Sequence, residues 1–125
     1  SPRRPAAARL DSAKRAGFHM KLFRKLIRDN MPEILAKEGK KIKTRILKED
    51  AEYFEWLRRK MLEELQEISE QPDNKIFLTE RFAYLDEILS LLAEIKGVGK
   101  GEIKEAQKRI IRERGSFKKR LLLEL

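Results

Sequence analysis

The sequence contains no cysteine and a single histidine, His19. The lack of cysteine excludes disulfides, thiolate metal sites and cysteine nucleophiles. Because His19 lies in an irregular leader, general-base chemistry by histidine is not expected either. No apolar run approaches the length of a membrane span. We therefore expect a soluble, cytoplasmic protein with no membrane partner.

Charge, in contrast, is abundant: 41% of the 125 residues are charged and the net charge is +9. Part of this charge belongs to residues 1–20, where five basic residues face only Asp11. The remainder is modestly basic, with both signs on every predicted helix, which is typical of a solvated surface. Nucleic-acid binding is the less favoured alternative, and a steep fall of affinity with ionic strength would reveal it.

The chain length predicts one domain whose core is completed by dimerisation. Residues 1–19 are rich in Ala, Pro and Arg, and they end in Gly17-Phe18-His19 immediately before Met20. A His-Met junction is typical of a cloning scar. We expect residues 1–19 to be a non-native or disordered leader and residues 20–125 to be the helical domain. A basic N-terminal segment that binds a partner is the alternative.

The pattern beyond Met20 predicts an all-α fold. Asn30 is expected to cap a helix that begins at Met31 and is closed by Gly39, and Asp50 to cap a second one. The predicted helices cover about residues 31–38, 50–70, 75–96 and 102–114, with an extended segment at 40–47 and a Pro72-Asp73-Asn74 turn. The second and third helices should form an antiparallel hairpin, completed to a four-helix-type bundle by dimerisation.

Both helices of this hairpin carry charge on the side that should be buried. On the first, Glu64 interrupts a row of apolar residues at helical spacing, and Glu67 lies one turn beyond it. On the second, Arg81 lies near the middle of the apolar arc. The apolar members of the two rows are Leu57, Met61 and Ile68, and Phe77, Ile88, Leu92 and Ile95. Buried charge needs a partner, so we expect a polar site where the helices meet.

Carboxylates at positions i and i+3 of one helix can share a hard cation such as Mg²⁺. Glu64 and Glu67 have this spacing within the acidic block Glu63, Glu64, Glu67 and Glu70. For Glu63 and Glu70, a solvated helix face with Arg59 and Lys60 as partners is the favoured interpretation.

Three stretches of the chain resemble the MazG-like, all-α nucleotide pyrophosphohydrolases, which are related to phosphoribosyl-ATP pyrophosphohydrolase. They are Lys25-Leu26-Ile27-Arg28-Asp29-Asn30-Met31-Pro32-Glu33-Ile34, Glu63-Glu64-Leu65-Gln66-Glu67 and Glu113-Arg114-Gly115-Ser116-Phe117. The resemblance covers about residues 21–120. It implies cleavage of nucleoside triphosphates between the α and β phosphates, with Mg²⁺ held by Glu-x-x-Glu on one helix and Glu-x-x-Asp on the next. It also implies a dimer or higher oligomer.

The first half of that metal motif matches as Glu64 and Glu67, and the second half does not match. Counting back from Arg114-Gly115 places Arg81 and Tyr84 where the resemblance requires Glu and Asp. A guanidinium repels Mg²⁺, but its planar donors fit the space between two carboxylates. Glu80 and Glu87, one turn either side of Tyr84, would serve as ligands if the helix were rotated slightly. The resemblance also places Lys25 and Arg28 near the nucleotide phosphates, while Asn30 stands where relatives often have Lys.

The leading hypothesis is therefore a MazG-like nucleoside triphosphate pyrophosphohydrolase with a degenerate second metal motif. If it is active, Glu64 and Glu67 would act with Glu80 or Glu87 to hold Mg²⁺. The rival hypothesis is a non-catalytic dimer, nucleotide-binding or structural, in which Arg81 has replaced the metal. The Leu121–Leu125 run would be unfavourable in water, and we expect it to pack on a partner subunit.

Overall fold

A computed structural model describes residues 24–70 and 73–125 of the chain. Within these residues there are four helices and no strand: α1 (Met31–Lys37), α2 (Asp50–Glu70), α3 (Lys75–Ile95) and α4 (Lys100–Arg114). The predicted all-α fold is confirmed for this part of the chain. The 40–47 segment has no regular secondary structure. The predicted leader at 1–19 and Pro72 of the predicted turn lie outside the described residues.

The core lies between α2 and α3, which pack along each other more extensively than any other pair of described helices. Contacts between their side chains run in opposite directions, since Arg81 meets Glu64 while Lys96, just after α3, lies over the Phe54 ring near the start of α2. The pair is therefore the predicted antiparallel hairpin. Its buried apolar residues are Leu57, Phe77 and Ile88, and α1 adds Leu35.

Local hydrogen bonds set where these helices begin, and two predicted caps need correction. Asn30 precedes α1 but its side chain makes no capping hydrogen bond, and Asp50 is the first residue of α2 rather than its cap. Asn74 does cap α3, accepting a hydrogen bond from the Phe77 backbone N–H at 3.0 Å. The fourth helix begins two residues before the predicted Glu102, because that side chain accepts from the Gly99 N–H at 3.1 Å.

The ends of α1 and α3 each need a glycine. Gly39 and Gly97 have φ angles of 78° and 74°, in the left-handed region that other residues rarely adopt. Each follows the residue after its helix and donates to a carbonyl in the last turn, Ala36 and Glu94 respectively. None of the described helices has both the length and the apolar character that a membrane crossing requires.

Candidate functional site

The hairpin brings the two predicted buried charges into direct contact. Arg81 Nη1 donates to Glu64 Oε2 at 3.1 Å, and the two side chains are only 2% and 0% exposed. Both lie on the inner sides of their helices, as the apolar rows predict. A lone charge at this depth would be strongly destabilising, so each of these groups requires the other.

The Arg81 guanidinium is surrounded by further carboxylates and rings. Its Nη1 lies 3.6 Å from Glu67 Oε2 and its Nη2 lies 3.4 Å from Glu80 Oε2. The guanidinium carbon lies 3.8 Å from the centroid of the Tyr84 ring and 5.1 Å from that of Phe77. Such stacking favours a cation and suits the flat guanidinium group. Arg81 therefore fills the space between Glu64 and Glu67 on α2 and Tyr84 on α3.

A carboxylate cluster on α2 adjoins this ion pair. Glu63, Glu64 and Glu67 each offer one oxygen, and these three oxygens lie within 4.8 Å of one another. Lys60 also reaches the cluster, with its Nζ 3.5 Å from Glu64 and 3.6 Å from Glu63. The charge pattern predicts only a solvated face for Lys60, but its position four residues before Glu64 is the spacing at which two helical side chains meet.

The two predicted phosphate-binding cations contact carboxylates in this structure. Lys25 Nζ lies 3.4 Å from Glu63, and Arg28 Nη2 donates to Glu87 at 2.8 Å. Arg28 also lies 4.2 Å from the Tyr84 ring centroid, so both guanidinium groups stack on one ring. Partial burial opposes the charged form of Arg28. The hydrogen bond to Glu87 and the negative charge of that carboxylate act the other way, and together they raise the pKa of Arg28 above its ordinary value.

The residues predicted to bind Mg²⁺ are therefore divided between different partners. Glu64 and Glu67 face Arg81, Glu80 also pairs with Arg81, and Glu87 pairs with Arg28. A divalent cation does not fit between Glu64 and Glu67 in this arrangement, because a guanidinium already lies 3.1 and 3.6 Å from their oxygens. The assignment of these four glutamates as metal ligands, and of Glu64 and Glu67 as catalytic, stays a prediction.

Within the described residues, four cations and five carboxylates form this network. They are Lys25, Arg28, Lys60 and Arg81, with Glu63, Glu64, Glu67, Glu80 and Glu87. The two signs almost balance. A site that holds a divalent cation needs an excess of carboxylates, and a site that grips a polyphosphate without metal needs an excess of cations. These residues have only one carboxylate more than cations, which is a small excess for a divalent cation and of the wrong sign for a polyphosphate.

No family model, curated protein or solved structure matches this chain. A function is therefore inferred from the geometry of the site and from the residue pattern.

Proposed function

We propose that this protein is a non-catalytic member of the MazG-like pyrophosphohydrolase superfamily, a structural homodimer in which Arg81 has replaced the metal. The observation that carries this proposal is the buried contact of 3.1 Å between Arg81 and Glu64. The guanidinium supplies the positive charge that these carboxylates need in the interior. Unlike a metal ion it is covalently part of the chain, so this positive charge is present without a cofactor.

The chemistry of the guanidinium favours structure over hydrolysis. A metal-bound water can attack a phosphate because the metal lowers its pKa and offers an open coordination position. Arg81 has no such position, and a guanidinium does not ionise water. Stacked on Tyr84 and 3.1 Å from Glu64, it holds α2 against α3 instead.

Homodimerisation is supported by the small core of the hairpin. Only four apolar residues are buried within the described part of the chain. Large apolar side chains remain exposed on both long helices, among them Leu62 and Leu65 on α2 and Phe82 and Leu89 on α3. Extended exposed apolar surface of this kind marks interaction sites. A second copy would cover it and complete the predicted four-helix-type bundle.

The test of the proposal is pyrophosphate release from a panel of nucleoside triphosphates, with and without Mg²⁺. We expect release at the background level from the parent and from Glu64→Gln under both conditions. Release that requires Mg²⁺ and disappears in Glu64→Gln would overturn the proposal in favour of the pyrophosphohydrolase. Gln keeps the size of the Glu64 side chain but removes its charge beside the buried Arg81. Circular dichroism should therefore first establish that the variant is folded.

Nucleotide binding without hydrolysis is the second candidate, and a surface cavity favours it. A cavity of about 340 Å³ is lined by Arg28, Asp29, Asn30, Met31 and Ile34. The Arg28 side chain is half exposed there, so a phosphate could compete with Glu87 for its guanidinium. Equilibrium dialysis with ATP in EDTA distinguishes the two candidates. Saturable binding that Arg28→Gln abolishes would favour nucleotide binding, and no binding favours the structural dimer.

A further inference from the structure

The last fifth of the chain is rich in apolar residues, but it packs against few of the other residues that the structure describes. We define the C-terminal arm as residues 100–125, which comprise α4 and the segment after it. No residue of α4 is buried, and its Ile110 and Ile111 are exposed. Five large apolar side chains in the following segment are at least 82% exposed, namely Phe117, Leu121, Leu122, Leu123 and Leu125. An exposed apolar cluster of this size marks a surface that packs against another surface in solution.

A matching surface exists on the hairpin. A helix turns about 100° per residue, which places Leu62 and Leu65 about 80–140° round α2 from the buried Leu57. Phe82 and Leu89 lie at similar angles, about 120–140° in the same sense, from the buried Phe77 on α3. Equal offsets on two antiparallel helices lie on the same side of the pair. These four side chains, each 45–56% exposed, therefore form one surface, which we call the lateral apolar face.

The two segments that carry these surfaces also have opposite net charge. The hairpin segment, residues 50–95, contains twelve acidic and five basic residues, a net charge of −7. The C-terminal arm contains nine basic and four acidic residues, a net charge of +5. Residues 1–23 have six basic residues and one acidic residue, so their charge repels the arm rather than attracting it.

Much of this charge has no ion-pair partner within the described residues. In the arm, only Lys108 forms an ion pair, with Glu105, which leaves eight cations without one. On the hairpin, five exposed acids form no ion pair with another described residue: Asp50, Glu70, Asp73, Asp86 and Glu94. Asp86 lies on α3 between Phe82 and Leu89, so acidic charge adjoins the lateral apolar face. Apolar and electrostatic complementarity thus point to the same pair of surfaces.

The arm is long enough to cover the hairpin. At about 1.5 Å per residue, α2 and α3 are each about 30 Å long and α4 is about 22 Å long. The eleven residues after α4 add up to about 35 Å when extended. The hairpin of the same chain does not bury α4 in this structure, although only residues 96–99 separate α3 from α4.

We propose that the C-terminal arm of one copy docks on the lateral apolar face of a second copy, and that the exchange is reciprocal. This inference rests on the proposed homodimer and specifies how it forms. Each arm binds the hairpin of the other chain, so both arms and both lateral apolar faces are occupied in a dimer. The two docking contacts therefore close the assembly at two chains.

The test is a mixing experiment on the full chain. One variant carries Leu121→Ser and Leu123→Ser in the arm, and the other carries Phe82→Ser and Leu89→Ser on the lateral apolar face. Light scattering during gel filtration should give the parent twice the 14.8 kDa chain mass and each variant the mass of one chain. Mixed in equal amounts, the two variants should form a heterodimer, since one intact arm meets one intact hairpin. Native mass spectrometry identifies the mixed species.

Matched controls come from exposed residues outside both surfaces. Ile46→Ser with Ile76→Ser removes two aliphatic side chains that are 83% and 77% exposed, and this variant should remain a dimer. Circular dichroism should show the same helix content in all four proteins. Raising the salt concentration from about 0.1 M to about 1 M should weaken the parent dimer at least tenfold, since screening shortens the range of the charges.

The outcomes distinguish this inference from the proposed function. If the arm variant stays dimeric, arm docking is wrong and the homodimer stands. A monomeric parent overturns both, and binding of that monomer to anionic phosphatidylglycerol vesicles would assign the arm to a membrane surface instead. Polymers of increasing size would contradict reciprocal closure. Pyrophosphate release does not affect the docking inference.

Discussion

At the scale of single residues, the contact between Arg81 and Glu64 explains why charge can lie inside a small helical core. Both side chains are almost fully buried, and Arg81 also contacts Glu67, Glu80 and the Tyr84 ring. Removing one member of a buried ion pair is far more destabilising than the pair itself is stabilising, because the remaining charge has lost its compensation. The guanidinium therefore fixes which faces of α2 and α3 meet.

We expect Arg81→Met to lower the free energy of unfolding by about 3–5 kcal/mol, because Glu64 and Glu67 lose their shared cation. Replacing both partners, with Glu64→Leu and Arg81→Met together, should recover most of that loss. Neither fully buried charge is then left without its partner. Urea unfolding followed by circular dichroism measures both values.

Arg59→Met is the matched control for this prediction, since Arg59 is 56% exposed and pairs with Glu55 on the surface of α2. Its effect should be at most about 1 kcal/mol. Similar losses from Arg59→Met and Arg81→Met would contradict the role given to the buried contact.

At the scale of the elements, two asparagines at helix starts offer a direct comparison. The Asn74 side chain accepts a hydrogen bond from the Phe77 N–H at 3.0 Å, whereas Asn30 makes no such bond. Asn74→Ala should therefore destabilise the protein by about 1 kcal/mol. Asn30→Ala, the same change before α1, where the asparagine backbone is helical rather than extended, should have a much smaller effect. Thermal unfolding measures the stability of the two variants. Equal losses of stability would mean that the capping hydrogen bond of Asn74 is not the cause of its effect.

At the scale of the whole molecule, the proposed replacement of the metal by Arg81 predicts how the stability of the protein responds to Mg²⁺. Within the described residues the cations and carboxylates of the site nearly balance, so the parent melting temperature should not respond to millimolar Mg²⁺ or to EDTA. Binding of a cation to the folded state raises stability by about 2.7 kcal/mol when the ligand is at one hundred times its Kd. If Arg81 takes the place of the metal as proposed, the parent protein gains none of this stabilisation.

Replacing Arg81→Glu and Tyr84→Asp together should reverse that behaviour. The variant removes the internal cation and supplies the carboxylates that the family resemblance implies, so we expect a lower melting temperature in EDTA and a marked rise with Mg²⁺. Scanning calorimetry measures both states. Arg81→Gln with Tyr84→Asn is the neutral control, which should be destabilised without recovery by Mg²⁺. A parent that is itself stabilised by Mg²⁺ would contradict the replacement of the metal by Arg81.

Much of the fold follows from local pattern. The helical periods of the apolar residues predicted α2 and α3 almost to the residue, and glycines after the last turns predicted where α1 and α3 end. Caps were less predictable, because Asn30 and Asn74 are the same residue type and only the surrounding backbone decides which side chain reaches an N–H. The predicted start of α4 was wrong by two residues, because the Glu102 side chain accepts a hydrogen bond from the Gly99 N–H and lies inside the helix.

Helical spacing in the sequence is enough to place Glu64 and Arg81 on the inner sides of two helices, because a periodic pattern assigns each residue to a face. It left open whether Arg81 contacts Glu64 and where Glu80, Glu87, Lys25 and Arg28 find partners. These pairings follow from how the elements pack, since all of them except that of Glu80 with its neighbour Arg81 join residues 17 to 59 positions apart in the chain. Charge pairing depends on distances of a few ångströms between elements, and spacing along one helix carries no information about them.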